Sequence, residues 1–248
     1  MKHIFLTSLA AAIFSCTLCL AQNSLIAQML NTQEAVVQVL AENNNIFKAP
    51  QAGAAIDPKT GRIVIARKLV RSSYHRNGAG VLIHPSGMIV TNAHTGHKAN
   101  TIKVALPTGE VVYAKPIRVV NDMDLLLLKI DISRPLPFVQ IADSDQVSLG
   151  QEVVTIGNSA VLKNTISGGK IIGIGVSRKL KHSGKHRTDL IQTTVNLYQG
   201  DSGGPLFDRD GRLIGLMTAD EGATDHSSFA IPSNKIKTYL IEYLESQE

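Results

Sequence analysis

Cysteine is nearly missing from this chain of 248 residues: there are two, Cys16 and Cys19, and both lie in the first twenty positions. From Gln22 onward there is no thiol, so disulfides cannot hold the fold together. Beyond residue 20 no apolar run is long enough to cross a bilayer, which excludes a protein of many membrane spans. Charge of either sign is scarce, with 25 Lys and Arg against 20 Asp and Glu and a net charge of +5. That mild balance gives no reason to expect a nucleic-acid partner. Twenty Gly and nine Pro without a period exclude collagen-like and low-complexity classes. The 44% of hydrophobic residues suffices for one large or two small domains.

Residues 1–21 read as an export signal. Lys2 gives a positive start, residues 4–20 are apolar apart from small polar residues and the two Cys, and Cys19-Leu20-Ala21 ends in a small residue before Gln22. The competing readings are an uncleaved membrane anchor and a lipid-attachment signal ending at Cys16. Bulky Phe14 disfavours the second. Cysteine-free domains suit either redox compartment, so the expected periplasmic or secreted location, without stable membrane insertion, rests on the signal alone.

Residues 24–41 place Ile26, Met29, Leu30, Val37 and Leu40 at helical spacing, predicting an amphipathic helix, followed by a linker to about residue 60. From residue 61 the texture changes to short β-branched runs, over 62–70, 80–84, 88–92, 102–106, 111–116, 125–130, 152–156, 170–176, 190–194, 205–207, 213–218 and 228–231. Turn residues such as Pro85-Ser86-Gly87, Pro107-Thr108-Gly109 and Asp208-Arg209-Asp210-Gly211 separate them. Many short strands without βαβ alternation predict an all-β architecture. The stretch 131–150, with Pro135 and Pro137, divides the runs into two halves, about 61–135 and 140–235, and two small barrels are the simplest packing. Ile236, Leu240, Tyr243 and Leu244 behind Ser233 predict a C-terminal helix capped by that serine.

The chemistry is concentrated in Gly200-Asp201-Ser202-Gly203-Gly204-Pro205. A serine among glycines on a tight loop presents its hydroxyl, and the glycines let the amides of Gly200, Asp201 and Ser202 turn toward a common point, as an oxyanion hole requires. Serine is a poor nucleophile at its own pKa and needs a base with a partner to orient it. His94, at the end of the run 88–92, supplies the base; Asp124, or its competitor Asp122, supplies the carboxylate. A plain turn is the alternative for the glycine loop.

TNAH at 91–94, DLLLLKI at 124–130, ADSDQVSLGQEVVTIGN at 142–158, DLIQTTVN at 189–196, GDSGGPLF at 200–207 and FAIPSNKIK at 229–237 together resemble trypsin-like (chymotrypsin-fold) serine proteases. Within them the resemblance is strongest to the HtrA/Deg protease domain, over about 78–237. It implies two six-stranded antiparallel β-barrels, a cleft between them, and no cofactor or metal. It also implies His94 as general base and acid, Asp124 as the orienting carboxylate, Ser202 as nucleophile, and a polypeptide substrate cut through an acyl-enzyme. A homotrimer supported by the N-terminal segment belongs to the same family expectation.

The sequence departs from the family pattern in several places. A PDZ module, common in the family, is not expected after Lys237; Asp201 stands where Asn is common, Thr95 where Val is, and Ser159 where Pro is. Asp201 raises the question of zymogen-like activation. The primary specificity pocket is expected from Asn196, Leu197, Leu216, Met217, Thr218 and Ala219, and without a carboxylate at position 196 it favours small or medium aliphatic residues. His97, three residues after His94, reads as surface rather than as a metal ligand. Residues 178–187 hold five basic residues and two histidines, either a solvated loop or a partner-responsive segment beside the site. Two other functions compete with the endopeptidase: a catalytically silent polypeptide-binding or chaperone-like protein on the same fold, and a glutamyl endopeptidase.

Overall fold

The computed structural model describes residues 32–56, 63–158, 163–179, 186–198, 200–218 and 227–246. The first barrel consists of β1 (Val36–Ile56), β2 (Ile63–His84), β3 (Met88–Asn92), β4 (Thr101–Ala105), β5 (Val111–Val120) and β6 (Leu125–Ile130), with a one-turn helix α1 (Ala93–Gly96) after β3. Its strand order is β1-β2-β3-β6-β5-β4, closed by antiparallel pairing of β1 with β4, Gln38 opposite Ala105. The second barrel is built from β7 (Glu152–Asn158), β8 (Lys163–Lys179), β9 (His186–Thr193), β10 (Pro205–Phe207), β11 (Leu213–Thr218) and β12 (Ser228–Pro232). Its order is β10-β11-β12-β9-β8-β7, closed between β10 and β7. Helix α2 (Ser233–Glu245) follows.

Sequence and burial agree strand by strand. β4 alternates, with Ile102 and Val104 buried and Thr101, Lys103 and Ala105 half-buried, as a strand with one face on the core must. β3 and β11 are buried at every residue, so they read as continuous apolar runs. A single core joins Leu82, Ile89, Leu126 and Leu128 of the first barrel to Ile156, Phe207, Leu213 and Phe229 of the second. A smaller cluster fills the second barrel around Ile171, Ile191, Leu206 and Met217. Closing both barrels leaves neither sheet a free edge.

The expected N-terminal helix is not there over its second half. From Val36 the chain is β1, with Val36, Val37 and Val39 buried and paired to β2, Val37 opposite Gly80. Val36, Val37 and Val39 lose side-chain freedom in a helix and pack well in a strand, and closure with β4 satisfies the backbone on the other side. The first barrel therefore begins at Val36 rather than near residue 61, and residues 42–56 are strand rather than linker. Residues 24–31 of that helix, and the signal at 1–21, lie outside the described residues. The separate runs at 62–70 and 80–84 are one strand, β2.

Helix α2 forms where expected, but Ser233 is its first residue rather than its cap: the Ser233 hydroxyl donates to the Ala142 carbonyl at 2.9 Å, and Pro232 precedes the helix. Ile236 and Leu240 bury the inner face. The outer turns reach the first barrel, where the Arg118 guanidinium lies over the Tyr239 ring at 4.9 Å and pairs with Glu242 at 2.9 Å. Among the described residues no helix is long and apolar enough to cross a membrane.

Two hairpin glycines separate backbone strain from steric conflict. Gly87 (φ 91°) and Gly109 (φ 89°) share a conformation that disfavours any side chain. A Cβ on Gly87 would stand 2.5 Å from the Ile130 carbonyl oxygen, whereas one on Gly109 would meet nothing within 4 Å. We expect Gly109→Ala to cost about 1 kcal/mol, the strain alone. Gly87→Ala should cost at least about 2 kcal/mol, because the β2–β3 turn must also shift. Urea midpoints of the two variants check this; equal losses would remove the steric half of the argument.

Candidate active site

The site is assembled at the ends of β3 and β6 and in the loop before β10. β3 delivers His94 on α1, and the turn before β6 delivers Asp124. Asp124 has φ 57°, a conformation uncommon for a residue with a side chain, and several contacts hold it there. Its carbonyl accepts from the Ala93 amide at 2.9 Å and from the Asn92 side chain at 3.2 Å. Its carboxylate clamps the histidine twice: Oδ1 accepts from the His94 backbone amide at 2.8 Å, and Oδ2 lies 2.7 Å from His94 Nδ1. The Asp124 side chain is 3% exposed and that of His94 44% exposed, so the imidazole spans from a buried anion to the surface. Asp122 is exposed on the same turn, so Asp124 is the carboxylate that meets His94. His97 is exposed just past α1.

Two more groups converge on Asp124. The Thr218 hydroxyl, at the end of β11, lies 3.4 Å from Oδ2. The Arg187 guanidinium, at the start of β9, lies 2.9 Å from Oδ2 and donates to Thr218 Oγ1 at 2.9 Å. Burial pushes the Asp124 carboxyl up, but the bond to His94, the charge of His94 and the charge of Arg187 together hold it below the ordinary carboxylate value. Sequence reasoning placed Thr218 in the specificity pocket and Arg187 in a surface loop; neither position carries a motif that announces this contact.

The Ser202 loop docks on the β2–β3 hairpin, whose second strand leads to the histidine. The Ala79 amide of β2 donates to the Ser202 carbonyl at 2.9 Å, and Gly203 (φ 84°) is so close to β2 and β3 that a Cβ would stand 2.4 Å from both the Ala79 carbonyl and the Thr91 hydroxyl. No side chain fits there, which is why the motif carries glycine. Gly200 has φ 100°, and the residue Ser202 is 8% exposed. Of the three amides expected to converge, that of Asp201 is committed elsewhere: it donates to the Tyr198 carbonyl at 3.0 Å. The oxyanion expectation thus narrows to Gly200 and Ser202.

The expected pocket residues divide. Leu216 is fully buried and belongs to the joint core, so it lines no opening. Met217 is fully buried in the second cluster, against which half-buried Leu197 packs, and Asn196 is exposed. Ala219 and Ser159 lie outside the described residues, as do 180–185 of the basic segment.

Asp201 is also buried, with its carboxylate accepting from the Tyr198 amide at 2.9 Å and pressed against Gly157, where a Cβ would stand 2.4 Å from Asp201 Oδ1. Gly157 is a site residue that sequence reasoning passed over. Burial raises the Asp201 carboxyl above its ordinary value, outweighing the Tyr198 bond. A raised folded-state value for an acid makes stability fall as pH rises from the ordinary carboxylate value through the raised one. Asp201→Asn keeps an acceptor for Tyr198 and removes the ionisation, so its stability relative to the parent should improve as pH rises across that window. Denaturant midpoints from pH 3.5 to 7.5 measure it; a difference that does not change with pH contradicts the expectation.

With this geometry established, known proteins with the same features can be compared. The family model described as "Trypsin-like peptidase domain" matches residues 78–216. "Serine protease HTRA1A" of Danio rerio is 37% identical over 192 residues, 75% of this chain and 39% of its own. "Probable periplasmic serine endoprotease DegP-like" of Rickettsia conorii is 38% identical over 173 residues, 68% of this chain and 34% of its own. The solved structure "HtrA-type protease AlgWS227A with decapeptide" matches with a TM-score of 0.71 at 24% identity, over 90% of this chain and 68% of that one, a likeness of fold. The chain spans about two fifths or less of the length of these curated relatives. The chain belongs to the trypsin-like peptidase family, and the relatives it resembles there are HtrA and DegP serine proteases.

Proposed function

We propose that the protein is an exported serine endopeptidase that hydrolyses unfolded or exposed polypeptides through Ser202, His94 and Asp124. The observation that carries this reading is the double clamp of Asp124 on His94, with the Ser202 loop docked on the hairpin whose second strand leads to that histidine. His94 takes the Ser202 proton as the hydroxyl attacks the peptide carbonyl. Asp124 holds the tautomer with Nδ1–H toward itself and stabilises the imidazolium that forms. The amides of Gly200 and Ser202 receive the charge on the carbonyl oxygen, a contribution of roughly 2.7–4 kcal/mol per donor. The imidazolium then returns its proton to the leaving amine, and water repeats the sequence on the acyl-enzyme.

Half-buried, apolar Leu197, with exposed and uncharged Asn196, supports cleavage after small or medium aliphatic residues. Export rests on residues 1–21, and is in keeping with the name of the DegP-like relative, which places that protein in the periplasm. A homotrimer remains the proposed assembly on family likeness. The strand at 36–41 removes the helical part of its support.

The chain from Gln22 should degrade an unfolded protein and react covalently with a fluorophosphonate, and Ser202→Ala should do neither. Asp124→Asn should retain the fold and lower kcat by about 10⁴-fold, since the amide favours the wrong imidazole tautomer. Cleavage undiminished in Ser202→Ala would defeat the assignment. A well-folded parent that binds unfolded protein but neither cleaves nor labels would favour the chaperone-like alternative.

A further inference from the structure

Arg187 is one of the few charged residues that the fold buries, at 9% exposure, and it is not on the active-site loops. A guanidinium taken out of water is retained only with partners that match it. Its partners are Asp124 Oδ2 at 2.9 Å and the Thr218 hydroxyl at 2.9 Å, held by two prongs of one planar fork. Asp124 Oδ2 therefore faces two cationic or potentially cationic groups from different barrels, His94 of the first and Arg187 of the second. Directly across the hairpin from Arg187 stands Arg178, whose guanidinium lies over the Phe229 ring of β12 at 4.6 Å. Both feet of the basic β8–β9 hairpin are thus anchored, one on β12 and one on the aspartate that orients the histidine.

We propose that Arg187 is a positioning residue for catalysis: its fork fixes the Asp124 carboxylate and Thr218 in one arrangement and ties the β8–β9 hairpin to the histidine. This rests on the reading of Ser202, His94 and Asp124 as a triad. The physical consequence has two parts. Held by Arg187, the carboxylate cannot rotate away from His94, which favours turnover without touching substrate. The same fork also holds the Thr218 hydroxyl and the foot of β9 against that carboxylate, so its loss should fall on turnover rather than on substrate binding. Other charged or titratable groups around the cluster are Arg76 of β2, which donates to the His94 carbonyl, Asp122 and His97 on the flanking turns, Arg178, and Asp201, which is turned toward Tyr198. Arg187 contacts the carboxylate oxygen that also faces His94, so its removal should dominate any change.

The test compares Arg187→Gln and Arg187→Lys with the parent. In Arg187→Gln, kcat should fall about tenfold with KM within about twofold. Arg187→Lys restores the charge without the fork, so kcat should recover only in part. In the Ser202→Ala background, the NMR resonance of the His94 Nδ1 proton that bonds Asp124 should move or broaden on adding Arg187→Gln, a readout that needs no cleavage. An unmoved Nδ1 proton resonance, or a loss confined to KM, overturns the proposal. A parent that does not cleave overturns the endopeptidase reading instead. Should Arg187→Gln fail to fold, Arg187→Lys carries the test: a several-fold loss of kcat with KM held supports the proposal, and parental kcat overturns it.

Discussion

The site depends on keeping one carboxylate ionised where there is little water. Asp124 is almost fully buried, and burial alone would favour its neutral form. The backbone amide and ring of His94, the guanidinium of Arg187 and the hydroxyl of Thr218 reverse that preference. Each comes from a different stretch of chain, so charge neutralisation here is also a statement about where α1, β9 and β11 must lie. An unusual backbone conformation at Asp124 is the local cost, and the bonds from Ala93 and Asn92 to its carbonyl offset it.

The glycines near the serine solve a separate problem, that of bringing two barrels within hydrogen-bond distance. Gly203 leaves no space for a side chain between the Ser202 loop and β2–β3, and a Cβ on Gly78 would likewise press on the Thr95 side chain and the Ser202 carbonyl. Gly157 plays the same part beneath Asp201. Close backbone contact at these glycines, added to the side-chain core that the two barrels share, sets the position of Ser202 relative to the strand that ends at His94.

Much of this was legible in the sequence, for identifiable reasons. β3, β6, β10 and β11 fall within their expected limits because apolar runs bounded by turn residues leave little alternative. His94, Asp124 and Ser202 were legible because each sits in a motif. The strand at Val36 was not, since Val37 and Leu40 also satisfy a helical stripe when read together with Ile26 and Leu30, and only pairing with β4, far along the chain, decides between them. Leu216 was expected at the pocket, but β11 is buried at every residue, so no alternation along it marks a face toward an opening. Arg187 was hidden among basic neighbours, for composition cannot tell a solvated arginine from one that reaches a buried aspartate.

The order in which these contacts can form has a kinetic consequence. β1 cannot close the first barrel until β4 is available, and the bond from Ala79 to Ser202 joins a segment from early in the chain to one near its end. Such distant pairings are slow, because loop entropy is lost before contact energy is gained. Serine, histidine and aspartate therefore come together only after both barrels have closed and docked. A half-made or half-unfolded copy of this chain holds the three residues but not their arrangement, and so lacks the site.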